Sequence, residues 1–186
     1  MPPGAGGPSI AARLHPEANA METKTGPGMA NAARGPRALA AAIVGLGLFG
    51  AALVATPGPM REFFSWIAYG SPERVAGFGP DAVAYVELVH AILGAMTFGW
   101  AVTLLGVVGW LWARQPLVAW WIVAGSIGAW YVPDTAYSLL AGFWRNALFN
   151  SACALPFAIA LAVAYPGRAH RVGTAVAAPG TTGRAP

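Results

Sequence analysis

Residues 82–113, AVAYVELVHAILGAMTFGWAVTLLGVVGWLWA, form a long apolar run with a single charged side chain, Glu87. A helix on the surface of a soluble protein keeps a polar face, and this stretch has none. A bilayer core about 30 Å thick takes roughly 20 apolar residues in a helix, because every backbone N–H and C=O must be bonded within the segment. The run exceeds that length, so it is expected to tilt or protrude. Three further stretches meet the same criterion: Ala38–Thr56, closed by Pro57-Gly58-Pro59; Leu117–Asp134, losing its apolar character at Pro133-Asp134; and Ala147–Tyr165, closed by Pro166-Gly167-Arg168.

Composition agrees, with 56% hydrophobic and 10% charged residues against about 25% charged in ordinary soluble domains. The fold class expected is all-α, a four-helix transmembrane bundle over 38–165. Residues 1–37 and 166–186, rich in Pro, Gly and Ala, lack an apolar face and are expected to be disordered tails. The first span is longer than a signal-peptide core of about 7–15 residues, and Pro57 is a poor residue to follow a cleavage site, so the span is read as retained.

The net charge of +4 is sparse, which argues against a nucleic-acid partner and for a membrane explanation. Arg34, Arg37, Arg114, Arg168 and Arg171 fall on one side of the spans, and Arg61, Arg74 and Arg145 on the other. Cytoplasmic loops retain Lys and Arg, so both termini are expected in the cytoplasm of a bacterial inner-membrane protein. Aromatic residues sort the same way. Trp110, Trp112, Trp120, Trp121 and Tyr165 stand at the proposed inner boundary; Trp66, Tyr69, Tyr85, Trp130, Tyr131, Tyr137 and Trp144 stand at the outer one.

One cysteine, Cys153, excludes an intramolecular disulfide framework. No GxSxG, Walker loop, HExxH or GxGxxG motif is present. Bis-His haem within one subunit is excluded because His15 and His170 lie in the tails, and no cofactor is expected.

Between the first two spans, Met60–Tyr69 is too apolar to be solvated and too short to cross. A short helix in the outer interface fits, with Arg61-Glu62 turned to the headgroups; a lid over a cavity is the alternative. Small residues at every fourth position are expected to be helix-packing faces: Ala91, Ala95, Gly99 and Thr103 in span two, Ala124 and Gly128 in span three, Ala154, Ala158 and Ala162 in span four. Any face left over after packing suits a homodimer or another membrane-complex subunit.

The polar residues inside the spans each need a reason. Glu87 and His90 are three apart and share a helix face. Asp134, Tyr137, Arg145, Asn146 and Asn150 belong to the same outer level, so one outward-facing polar pocket formed by spans two, three and four is expected. The structural account pairs Glu87 with Arg145 or His90 and lets Asp134 and Asn146 cap helices, with Asp134 capping a short segment Thr135–Leu140 after Pro133. The ligand account reads the pocket as the grip on a polar head group, from a lipid, a quinone-like molecule or another amphiphile. A mononuclear metal on Glu87, His90 and Asp134 is the weakest account, since Glu-x-x-His occurs once and carboxylate bundles use it twice.

Phe64-Ser65-Trp66, Trp130-Tyr-Val-Pro133-Asp134-Thr-Ala-Tyr137-Ser138, and Gly142 followed by Asn146 and Asn150 make the core from Arg61 to Tyr165 similar to a loose group of small four-span bacterial membrane proteins. The resemblance implies the architecture and no catalytic role. The expected function is a non-catalytic accessory or interaction subunit, or an amphiphile-binding protein. Alternatives are a membrane enzyme using Glu87 or His90 as acid or base, and a small carrier, which the near absence of polar residues in the inner half argues against.

Overall fold

The structure, a computed structural model, describes the backbone of residues 27–166 and the side chains of 34–166. Residues 1–26 and 167–186 lie outside the described residues, and the expectation of disordered tails falls largely on them. The chain divides into two units, Met1–Asn31 and Ala32–Pro186; the first is described only at the opening of its helix, and the packing below belongs to the second.

The order is α1 (Pro27–Ala55), α2 (Pro57–Tyr69), a 3₁₀ turn (Ala76–Phe78), α3 (Pro80–Gly106), α4 (Pro116–Leu140) and α5 (Trp144–Ala164). All described regular structure is helical. Prolines open α2, α3 and α4 in the first turn, where the N–H they lack would have had no partner within the helix. After α3 the backbone widens into a π-helical turn, Val107–Leu111, with the Trp112 N–H donating to the carbonyl of Val107. The continuous helix therefore runs Pro80–Leu111. Four helices are long and apolar enough to cross a bilayer: Arg34–Ala55, Pro80–Leu111, Pro116–Leu140 and Trp144–Ala164. They leave Leu48, Leu88, Met96, Leu140 and Leu148 exposed, a surface that suits lipid rather than water.

Two boundaries correct the sequence reading. The helix opens at Pro27, so residues 27–37 are helical where disorder was expected; the Ala-rich stretch Met29–Arg34 has high helix propensity and extends a helix the apolar span already nucleates. Helix α4 continues through Pro133 to Leu140, so Thr135–Leu140 is no separate segment and Asp134 caps nothing. It ends in a Schellman turn: Gly142, at φ 82°, donates to Leu139, and the N–H of Phe143 donates to Ser138 at 2.7 Å.

The packing face of α3 also differs from the one expected. Ala95, Gly99 and Thr103 are exposed, and a Cβ on Gly99 would meet nothing. The buried face carries Gly94, Ala101 and Leu104 instead. At Gly94 the backbones of α1 and α3 touch: a Cβ on Gly50 would stand 2.7 Å from the Phe98 nitrogen, and one on Gly94 would stand 2.6 Å from the Gly50 carbonyl oxygen. Only glycine fits both positions. Glycine spacing alone did not reveal which of the two faces carries the crossing.

Below the crossing, the ends of the bundle nearest the termini hold the apolar core. Leu39 and Ile43 of α1, Ala101, Leu104 and Val108 after the crossing, Val123 and Ile127 of α4, and Phe157, Ala160 and Leu161 of α5 form one cluster. In lipid such a core gains stability from close packing rather than from exclusion of water. Of the four indoles packed against it, Trp100 donates to Ser126 at 2.7 Å, and Trp120 donates to the Leu161 carbonyl, one of the last-turn acceptors α5 leaves open, at 2.9 Å.

Candidate functional site beneath helix α2

The other half of the bundle is organised by α2. Its end is a left-handed Gly70, φ 76°, whose N–H bonds the Trp66 carbonyl at 2.8 Å. A Cβ there would collide with the Arg145 guanidinium, so the position requires glycine twice over. Ser65 is buried: its hydroxyl donates to the Ser71 carbonyl at 2.7 Å and accepts the Val75 N–H at 3.2 Å, stapling the following loop to the helix. Phe63 and Phe64 pack with Phe49 of α1 and Phe149 of α5 in a cluster of ring centroids 5.4–6.3 Å apart.

Arg61 points inward. Its Nη1 meets Glu87 Oε1 at 2.8 Å, with side-chain exposures of 18% and 30%, while Glu62 is a looser, more exposed second contact at 3.6 Å. This corrects two expectations: Arg61 is not turned to headgroups, and Glu87 pairs with neither Arg145 nor His90. A carboxylate about two turns inside an apolar helix takes the cation that can reach it without leaving the bundle, and α2 brings Arg61 there. His90 lies under Phe64, with ring centroids 4.9 Å apart, and its enclosed Nδ1 has no hydrogen-bond partner. Arg145 lies over the Trp144 ring at 5.4 Å.

The second constellation joins α4 to α5. Ser138 is buried and donates to the Asp134 carbonyl at 2.7 Å. The Asn146 amide nitrogen donates to Ser138 Oγ at 2.7 Å and, more loosely, to Asp134 Oδ1 at 3.3 Å. Asn146 therefore ties two helices together rather than capping α5, which starts at Trp144 with no side-chain cap. Deeper, Ser151 gives its hydroxyl hydrogen to the Ala147 carbonyl at 2.8 Å, so the 3.0 Å contact with Tyr131 has the phenol as donor.

A cavity of about 240 Å³ opens beside this triad, lined by Phe64, Ile67 and Ala68 of α2, Asp134, Tyr137 and Ser138 of α4, and Phe143 and Asn146 at the start of α5. Of the residues expected to form one pocket, Asp134, Tyr137 and Asn146 line it together. Glu87, His90, Arg145 and Asn150 do not. Asn150 is buried, and its Nδ2 has no hydrogen-bond partner. The cavity is walled by α2, α4 and α5, with no lining residue from α3, because the aromatic face of α2 occupies the space the sequence reading left open between the spans. Among the described residues no three His, Cys, Asp or Glu side chains gather as a metal-sized group, so Glu87, His90 and Asp134 are not brought together as ligands.

Sequence reasoning held α2 over a cavity only as the alternative to simple anchoring, and it missed the Arg61–Glu87 pair. A signal existed: three arginines lie on that side, and Arg61 is the one within a segment too apolar to be solvated. A second hollow, about 380 Å³, lies between α4 and α5 along Ala124, Gly128, Ala154 and Ala158, so these small residues line a groove instead of closing it. Compared with protein-family models, with curated proteins and with solved structures, the chain matches none.

Proposed function

We propose that this chain is a multi-pass protein of a bacterial inner membrane, with both termini in the cytoplasm, that binds an amphiphile beneath α2 on the outer side. The carrying observation is the cavity itself: a hydrogen-bonded polar wall, Asp134–Ser138–Asn146, faces an apolar one, Phe64, Ile67 and Ala68. At about 240 Å³ it falls below the roughly 300–1,000 Å³ of sites that enclose a whole small molecule. A head group is the part that fits, with its tail along the exposed Leu139 and Leu140. In this reading α2 lies at the outer interface, its exposed Trp66 and Tyr69 at the headgroup level. The test is mass spectrometry of lipids retained through gentle extraction: a stoichiometric amphiphile is expected in the unaltered protein and absent from Ala68→Trp, which fills the cavity. Equal retention by both rejects the site.

The exposed small-residue face of α3, Ala95, Gly99 and Thr103, favours a second reading, an accessory subunit that docks another transmembrane helix or a second copy there. Crosslinking through a cysteine at Gly99 in native membranes tests it. Acid or base chemistry at Glu87 is less well supported, since Arg61 already holds that carboxylate.

A further inference from the structure

We propose that the cavity beneath α2 selects a cationic, ammonium-type head group, with Asp134 as its counter-ion. The inference rests on the amphiphile reading above and names its chemistry. Asp134 is the single charged residue among those lining the cavity. Arg61 is paired with Glu87, and Arg145 lies over the Trp144 ring. No ion pair to Asp134 exists among the described residues.

The wall's donors also turn toward one another. The Ser138 hydroxyl hydrogen goes to the Asp134 carbonyl, and the Asn146 amide nitrogen donates to Ser138 and Asp134. Flipping that amide would set its oxygen against a carboxylate oxygen, so its orientation follows from Asp134. Both side-chain contacts to the carboxylate fall on Oδ1, leaving Oδ2 without a hydrogen bond and not enclosed. Apart from the Tyr137 phenol, the polar wall thus presents acceptors. A phosphate, a carboxylate or a quinone carbonyl would face acceptor against acceptor. An ammonium group meets a carboxylate beside three aromatic rings, Phe64, Tyr137 and Phe143, of the kind that attract cations. The volume, about 240 Å³, is enough for such a group and not for its chain.

The test titrates the full chain in a maltoside detergent with three probes sharing one tail, dodecylammonium, dodecanol and dodecyl sulfate, and reads saturable binding by native mass spectrometry. Dodecylammonium should bind about tenfold tighter than the other two. Asp134→Asn should remove that preference, and Tyr137→Leu, at an exposed ring, should reduce it severalfold without unfolding risk. Ethylammonium, with no tail, should compete at least tenfold more weakly; equal competition would reject the amphiphile and leave a free amine as the ligand of the same carboxylate. Saturable binding of all three probes with equal affinity, lost in Ala68→Trp, overturns the charge selectivity while sparing the amphiphile site. No saturable binding of any probe overturns both.

Discussion

The two halves of this bundle solve the same packing problem with different materials. Toward the termini, Leu39, Ile43, Leu104 and Val123 are almost completely buried in an all-apolar cluster flanked by the hydrogen-bonded indoles of Trp100 and Trp120. Beyond the Gly50–Gly94 crossing, the interior holds four phenylalanines, an ion pair, a Ser-Asp-Asn network and four enclosed polar atoms with no hydrogen-bond partner: Arg61 Nε, His90 Nδ1, Thr135 Oγ1 and Asn150 Nδ2. A unique apolar packing gains from every contact, whereas a half-satisfied polar interior carries a cost that an occupant can relieve. Stability belongs to the first half, and the candidate site to the second.

That contrast can be broken most forcefully where the halves meet. Gly94→Leu forces side-chain atoms into the α1 backbone, so the protein is expected to lose its folded, monodisperse form in size-exclusion chromatography, an overpacking cost of about 3 kcal/mol or more. Within the apolar half, Leu104→Ala removes one of the most buried side chains and should lower stability by about 2–5 kcal/mol in denaturant titrations in mild detergent.

In the polar half the effects should be smaller. Arg61→Ala leaves Glu87 without its cation and should cost about 1–2 kcal/mol, discounted from a fully buried pair because both groups are partly exposed. Arg61→Met combined with Glu87→Leu should recover most of that loss. Smallest is Asn150→Leu, which replaces a buried, unpartnered amide by an apolar chain of similar size: a change within about 0.5 kcal/mol, or a gain, is expected. A loss as large as that of Leu104→Ala would mean Asn150 is satisfied and erase the distinction between the halves.

Much of the architecture was legible because lipid imposes a length on apolar runs and proline and glycine punctuate them. Pro57, Pro80 and Pro116 mark helix starts, and Gly70 and Gly142 mark ends. The differences at residues 27–37 and 135–140 share one cause: polar or proline-containing residues do not end a helix that neighbouring turns carry forward. The level of Asp134, Tyr137 and Asn146 was legible too, since ionisable groups gather near helix ends where water or headgroups can reach them. Their separation from Glu87 was not, because it depends on a helix lying between them.

By itself, then, the order of residues determined how many helices form, about where each one begins and ends, and which levels carry polar side chains, because these follow from backbone hydrogen bonding in hydrocarbon and from local turn chemistry. Only the tertiary structure decided which face of α3 meets α1, that Arg61 rather than Arg145 neutralises Glu87, and that α2 walls the cavity. Those are matters of rotation and insertion, fixed by contacts between segments far apart in the chain: a Cβ that does not fit at Gly94, and two phenylalanines seated among rings from α1 and α5.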